Sequence, residues 1–302
     1  MPHLPPDLVN LALRIAVKPR LARVSDPMVL RKSLDRAARR LFRSPPGVRR
    51  HWETVPGEPP LRMLGLEPAG AGTAMLLYFH GGVYVAGSPD THAHLAARIA
   101  QAGGMRALLP AYRRAPEHPF PAALDDALAA YRTLLDRGLS PDRIALAGDS
   151  AGGGLAAALL VAIEAAALPG PAALAVFSPW ADMTGRAPSL RQNARKDPML
   201  PAHRLHDAVE MVLQGADPTD PRASPALARY GRPPPALIFA SEDEILRDDA
   251  KALAAALASG GAPVRLVLKP RLPHAWPVLA DLLSAGERTA RDAGRFLAGH
   301  LA

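Results

Sequence analysis

Apolar and polar positions change rhythm three times along this chain of 302 residues. In the first stretch, residues 1–47, Leu8, Leu11 and Ile15 recur at helical spacing with arginines between them. Leu30, Leu34, Ala37, Ala38 and Leu41 continue the pattern. It predicts an amphipathic helical arm, ended by Ser44-Pro45-Pro46-Gly47. The polar face of the arm is basic, as in helices that lie on membranes, but a stripe of this kind is expected to pack on the body of its own protein.

From residue 51 onward, short apolar runs alternate with longer helical patterns. Residues 51–55 and 61–67 read as a hairpin of strands around Pro56-Gly57. Residues 74–79 are almost continuously apolar, the mark of a strand buried on both faces. Further strands are predicted at 106–110, 143–147, 173–177, 236–240 and 264–268. Helices are predicted at 89–101, 122–136, 151–168, 247–257 and 280–297. Eight strands in this order imply an α/β fold, a mostly parallel eight-stranded sheet flanked by helices on both faces.

Residues 186–232 interrupt that rhythm with helical pieces and Pro/Asp-rich loops, and no strand. An insertion at the carboxyl edge of a sheet is placed to act as a lid. Together with the arm of residues 1–47 it is expected to form a helical cap on a catalytic domain spanning 48–302.

Composition narrows the chemistry. The absence of cysteine excludes disulfides, thiolate catalysis and Cys-ligated zinc. The net charge of +8 comes from scattered arginines, aromatic content is 5%, and no basic run alternates with stacking aromatics, so no nucleic-acid partner is expected. The first apolar stretch is broken by Asn10 and Arg14, and no secretory signal follows. Nothing reaches a membrane-spanning length, so stable membrane insertion is not expected and a soluble, cytoplasmic protein is.

One turn carries the candidate chemistry. An apolar run ends in Gly148-Asp149-Ser150-Ala151-Gly152 and leads into an alanine-rich helix. This is the strand–turn–helix context of a G-x-S-x-G nucleophile elbow, which would lift Ser150 to the carboxyl end of its strand. Acyl transfer also needs a base, an acid to orient it, and donors for an oxyanion. The N–H of Ala151 can supply one donor. His80-Gly81-Gly82-Val83 directly follows the strand at 74–79, and Gly81 and Gly82 can turn further N–H groups inward. His274, after the last strand, is the candidate base. The acid is expected after residues 236–240, where Glu242, Asp243, Glu244, Asp248 and Asp249 all qualify by composition. His92 and His94 form an H-x-H pair, but residues two apart on a helix point to different sides. No metal or other cofactor is expected.

With these residues in view, residues 50–300 resemble the bacterial branch of the hormone-sensitive-lipase-like carboxylesterases of the α/β-hydrolase fold. The segments Tyr112-Arg113-Arg114-Ala115-Pro116-Glu117-His118-Pro119, Ser178-Pro179-Trp180-Ala181-Asp182, Asp197-Pro198-Met199 and Gly215-Ala216-Asp217-Pro218 are similar to family signatures. The resemblance implies a small-molecule ester as substrate, hydrolysed by Ser150, His274 and an acid. Aligning Leu246-Arg247-Asp248 with the family string places that acid at Glu244 rather than Asp243. The family loop often reads HGGG, whereas the third glycine is here Val83. That side chain is expected to crowd the pocket and favour short acyl chains. Val83, Tyr84 and Asp149 are expected to border the substrate. An amidase, a lactonase and a non-catalytic binding protein are the neighbouring alternatives on such a scaffold. A homodimer through an edge strand such as 264–268 is a further expectation of the resemblance.

Overall fold

A computed structural model describes residues 3–302. Its eight strands are β1 (Val48–Val55), β2 (Leu61–Pro68), β3 (Met75–Phe79), β4 (Arg106–Pro110), β5 (Ile144–Asp149), β6 (Ala173–Phe177), β7 (Ala236–Ser241) and β8 (Val264–Lys269). They form one sheet in the order β1-β2-β4-β3-β5-β6-β7-β8. The pairs β1/β2 and β2/β4 are antiparallel, and every later pair is parallel. The expected α/β architecture is therefore present.

Period-two alternation divides the core between the two faces of the sheet. Leu77 and Phe79 of β3 and Leu146 of β5 face α5 (Ala122–Asp136) and α6 (Ala151–Ala165), among Tyr131, Leu155 and Leu159. Leu76 and Tyr78 turn the other way, with Ala145, Ala147, Ala173 and Ala175. They meet α4 (Pro89–Ala102) and α10 (Ser284–Ala298). The central strands are thus apolar on both sides, which is why they read as unbroken runs.

The boundaries differ from the expected ones where local geometry intervenes. Strand β5 runs on to Asp149, two residues further than expected, because Asp149 still pairs with Phe177 of β6. Helix α6 stops at Ala165: Ala167 takes a left-handed φ of 53° and the Leu168 N–H closes on the Ile163 carbonyl. Helix α10 begins at Ser284 rather than 280, since Trp276–Leu279, with Pro277, forms a separate 3₁₀ turn.

The N-terminal arm comprises α1 (Pro6–Ala12), a π-helical turn (Leu13–Val17), α2 (Lys18–Arg23) and α3 (Pro27–Leu41). Pro19 explains the π turn. It has no N–H for the carbonyl of Ile15, and the register widens so that the Lys18 N–H bonds to Leu13. The stripe expected to pack on the body does so only in its second part, where Ala38 of α3 is buried and Leu30, Leu34 and Ala37 are half-buried. Leu8, Leu11 and Ile15 are 50%, 52% and 69% exposed, and it is Val9 and Leu13, on the other side of the helix, that join the core. Two apolar stripes run along this helix, and spacing alone cannot tell which one turns inward.

Polar ties hold the arm in place. Arg31 reaches the carbonyls of Val85 and Ala115 and pairs with Glu117. Lys18 Nζ donates to the Ala194 and Asp197 carbonyls, and Arg204 donates to Val24. The arm is thereby fastened to the 186–232 segment, which holds α7 (Ser189–Gln192) and α8 (Arg204–Leu213). Among the described residues no helix is long and apolar enough to cross a membrane.

Candidate active site

Ser150 stands between β5 and α6 with φ 53° and ψ −124°, a conformation L-residues rarely adopt. The turn is held by its neighbours: the Ser150 N–H donates to Phe177 and the Trp180 N–H to the Ser150 carbonyl, at 2.8 and 2.9 Å. Two glycines make it possible. A Cβ at Gly148 would overlap the Gly152 carbonyl, and one at Gly152 would overlap the carbonyls of Phe79 and His80. The elbow therefore rests directly on the end of β3, where the glycine loop departs. Gly152→Ala is expected to cost about 3 kcal/mol of stability or more, since backbone must move on both sides. A denaturant titration giving a wild-type midpoint would refute this.

His274 lies in the loop after β8. Its Nε2 is 2.9 Å from Ser150 Oγ and its Nδ1 is 2.6 Å from Glu244 Oε2. A carboxylate at Nδ1 fixes the tautomer: Nδ1–H donates to Glu244, and Nε2 is left to accept the Ser150 proton. Both His274 and Glu244 are buried. Burial pulls the His274 pKa down, but the hydrogen bond and charge of Glu244 outweigh it, so the net shift is upward.

Of the five carboxylates after β7, Glu244 alone reaches the histidine. Its Oε1 accepts from the Ser241 N–H at 2.8 Å. Asp243 turns away and accepts from the Arg271 N–H. Asp248 pairs with Arg247, and Asp249, at the start of α9 (Arg247–Ser259), accepts from Ala181 and Asp182.

Sequence reasoning missed two residues that hold this acid in place. Asn193 Nδ2 donates to the carbonyls of Glu242 and Glu244, at 2.8 and 2.9 Å. Asp197 Oδ2 accepts from the Ile245 N–H, while its Oδ1 accepts from Met199 and Leu200. Both belong to the segment that interrupts the strand–helix rhythm. Asp197-Pro198-Met199 stood out in the sequence, but nothing there tied it to Glu244.

The oxyanion assignment needs a correction at Gly81. Its N–H donates to Asp149 Oδ1 at 3.1 Å and is not free for a substrate oxygen. The N–H groups of Gly82, Val83 and Ala151 have no acceptor among the described residues. The free donors of the loop thus sit one residue later than expected.

Asp149 and Tyr84 also move out of the expected pocket. The Asp149 carboxylate is buried behind the loop, accepting from the Tyr78 hydroxyl at 2.7 Å and facing His92 Nε2 at 3.3 Å. Burial would raise its pKa, yet His92 and the Tyr78 hydroxyl bring it below the usual carboxylate range. It braces the loop rather than lining the substrate space. Tyr84 lines a separate cavity with Phe120, Leu124 and Leu155. His80 stacks on Tyr112 with ring centroids 4.2 Å apart, and burial lowers its pKa to about 3, so it stays neutral. His92 and His94 are committed separately, His94 donating to the Val278 carbonyl. Among the described residues, no three His, Asp or Glu side chains are grouped to hold a metal ion.

Ser150 opens into an apolar cavity of about 740 Å³, counting its mouth. Val83 and Trp180 line it from the body, Leu21 and Leu30 from the arm, and Leu205 and Met211 from the insertion. Val83 borders this space. Its φ of 51° is a conformation suited to glycine and strained for a β-branched residue.

The chain is similar to known proteins in sequence and in fold. A family model of the α/β hydrolase fold matches residues 76–278. An acetyl-hydrolase of Streptomyces hygroscopicus is 43% identical over 232 residues, covering 77% of this chain and 78% of its own. An ethyl acetate hydrolase of Pseudomonas putida is 35% identical over 228 residues, covering 73% and 71%. The crystal structure of an esterase from the bacterial hormone-sensitive lipase family superposes with a TM-score of 0.92 at 34% identity, over 100% of both chains. The chain belongs to the α/β-hydrolase family, in its bacterial hormone-sensitive-lipase-like branch, and is a carboxylic ester hydrolase.

Proposed function

We propose that the chain is a serine carboxylesterase that cleaves short- to medium-chain acyl esters through Ser150, His274 and Glu244 by way of an acyl-enzyme. The observation that carries this reading is the continuous line from Ser150 Oγ through His274 to Glu244, at 2.9 and 2.6 Å, beside three unoccupied N–H donors. Ser150 Oγ attacks the ester carbonyl while Nε2 of His274 takes its proton. The carbonyl oxygen becomes an oxyanion and is met by the N–H groups of Gly82, Val83 and Ala151. Collapse expels the alcohol, which takes the proton back from His274 and leaves an acyl group on Ser150. Water then gives a proton to His274 and attacks the acyl carbon, and the carboxylic acid leaves as Ser150 is reprotonated. Glu244 holds the tautomer and stabilises the transient imidazolium.

Residues 1–47 and 186–232 act in this reading as one cap, which sets the acyl preference. It is supported by the apolar walls that both segments contribute to the cavity, and by the hydrogen bonds that join them. Two relatives are named for acetyl and ethyl acetate hydrolysis, in keeping with a short acyl group. The strained Val83 side chain in the cavity argues the same way. Val83→Gly is expected to move the optimum of kcat/KM toward longer acyl chains, and an unchanged profile would count against that role. The deciding experiment is a panel of p-nitrophenyl acyl esters of increasing length, run beside amides and lactones. Turnover confined to amides or lactones would refute the esterase reading, and turnover of none would favour a binding protein.

A further inference from the structure

The arm carries most of the net charge of the chain and many of its exposed large apolar side chains. Of the net +8, residues 1–47 carry +7, with ten Lys and Arg against three Asp. Arg36, Arg39 and Arg40 on α3 are exposed and have no carboxylate partner among the described residues. On α1 and the π turn, Leu8, Leu11 and Ile15 form an outward stripe, each at least half exposed, with Leu11 at the edge of a groove beside Pro198 and Arg271. At the cavity rim, Pro27 and Leu30 line the space inside while Met28 and Val29 between them face solvent.

From this we infer that the arm is a docking surface for an anionic lipid interface, with Leu8, Leu11 and Ile15 entering the headgroup region and the arginines of α3 meeting the phosphates. Charge complementarity selects this occupant. A second copy of the chain would bring +7 against +7, whereas an anionic bilayer attracts each of those cations and accepts the leucines as well. The cavity mouth beside Met28 and Val29 then opens toward esters dissolved in the lipid. That last step rests on the esterase reading of the site; the binding itself does not.

Co-sedimentation of the full chain with vesicles tests it. Binding to vesicles rich in phosphatidylglycerol is expected to be at least about tenfold tighter than to pure phosphatidylcholine, and to weaken in about 0.5 M salt. Leu8→Ser/Leu11→Ser/Ile15→Ser should lose most of the binding, and so should Arg36→Gln/Arg39→Gln/Arg40→Gln. Both variants should hydrolyse soluble p-nitrophenyl acetate as the wild type does, which shows that they fold. Equal binding to both vesicle types, or binding to neither, overturns the proposal. So does a concentration-dependent dimer, seen by light scattering and abolished by the triple serine variant, in a chain that ignores vesicles.

Discussion

Ser150→Ala is expected to lower kcat on p-nitrophenyl acetate by about 10⁴- to 10⁶-fold while the protein melts as the wild type does. The expectation follows from what remains. Gly82, Val83 and Ala151 would still polarise a bound ester, and His274 could still activate water, so a residue of catalysis over buffer should survive. Removing the hydroxyl should not harm the fold, because the turn is held by backbone bonds to Phe177 and Trp180. Turnover within about tenfold of wild type, at unchanged stability, would require a different nucleophile.

Glu244→Gln should have the second-largest effect, and it has two parts. The neutral amide no longer fixes Nδ1–H or balances the imidazolium, which in comparable sites costs about 10⁴ in kcat. The second part is a shift in pH dependence. His274 must be neutral to accept a proton, so activity falls as pH drops through its pKa. In the wild type that pKa is raised, because Glu244 outweighs burial, and the acid limb of kcat/KM lies above the ordinary histidine value of about 6.5. In the amide variant the burial remains and the largest raising influence is gone. The limb should therefore move to lower pH even as the plateau drops. Asp243→Asn should change neither, since Asp243 meets only the Arg271 backbone. A variant whose plateau falls without a shifted limb would argue that Glu244 only supports the loop.

Much of this was legible in the sequence because parallel strands buried on both faces leave unbroken apolar runs, and because strand ends carry the chemistry. Strands β4 and β6 and helix α5 fall where the pattern predicts them. Ser150, His274 and Glu244, separated by up to 124 residues, come together as the expected order of strands requires. What remained hidden depends on side chains meeting across that order. The N–H of Gly81 is taken by Asp149, from a neighbouring strand, and no local pattern announces that bond. Asn193 and Asp197 steady the acid turn from some fifty residues away. The inward stripe of α1 was hidden for a different reason, since both stripes satisfy helical spacing and only the body decides between them.

Much of the cavity wall comes from parts of the chain that hold none of the atoms that would react within it. Leu21, Leu30, Leu205 and Met211 sit on surface helices, while Ser150, Glu244 and His274 sit in turns fixed by the sheet. Drift in the helices can therefore remodel which acyl groups fit without disturbing the strained turn that so few sequences can form. Such a division lets substitutions at the rim retune which acyl groups enter while the reacting atoms keep their places. The links that limit this freedom are the bonds from Asn193 and Asp197 to the acid turn, where a change in the insertion would reach the centre.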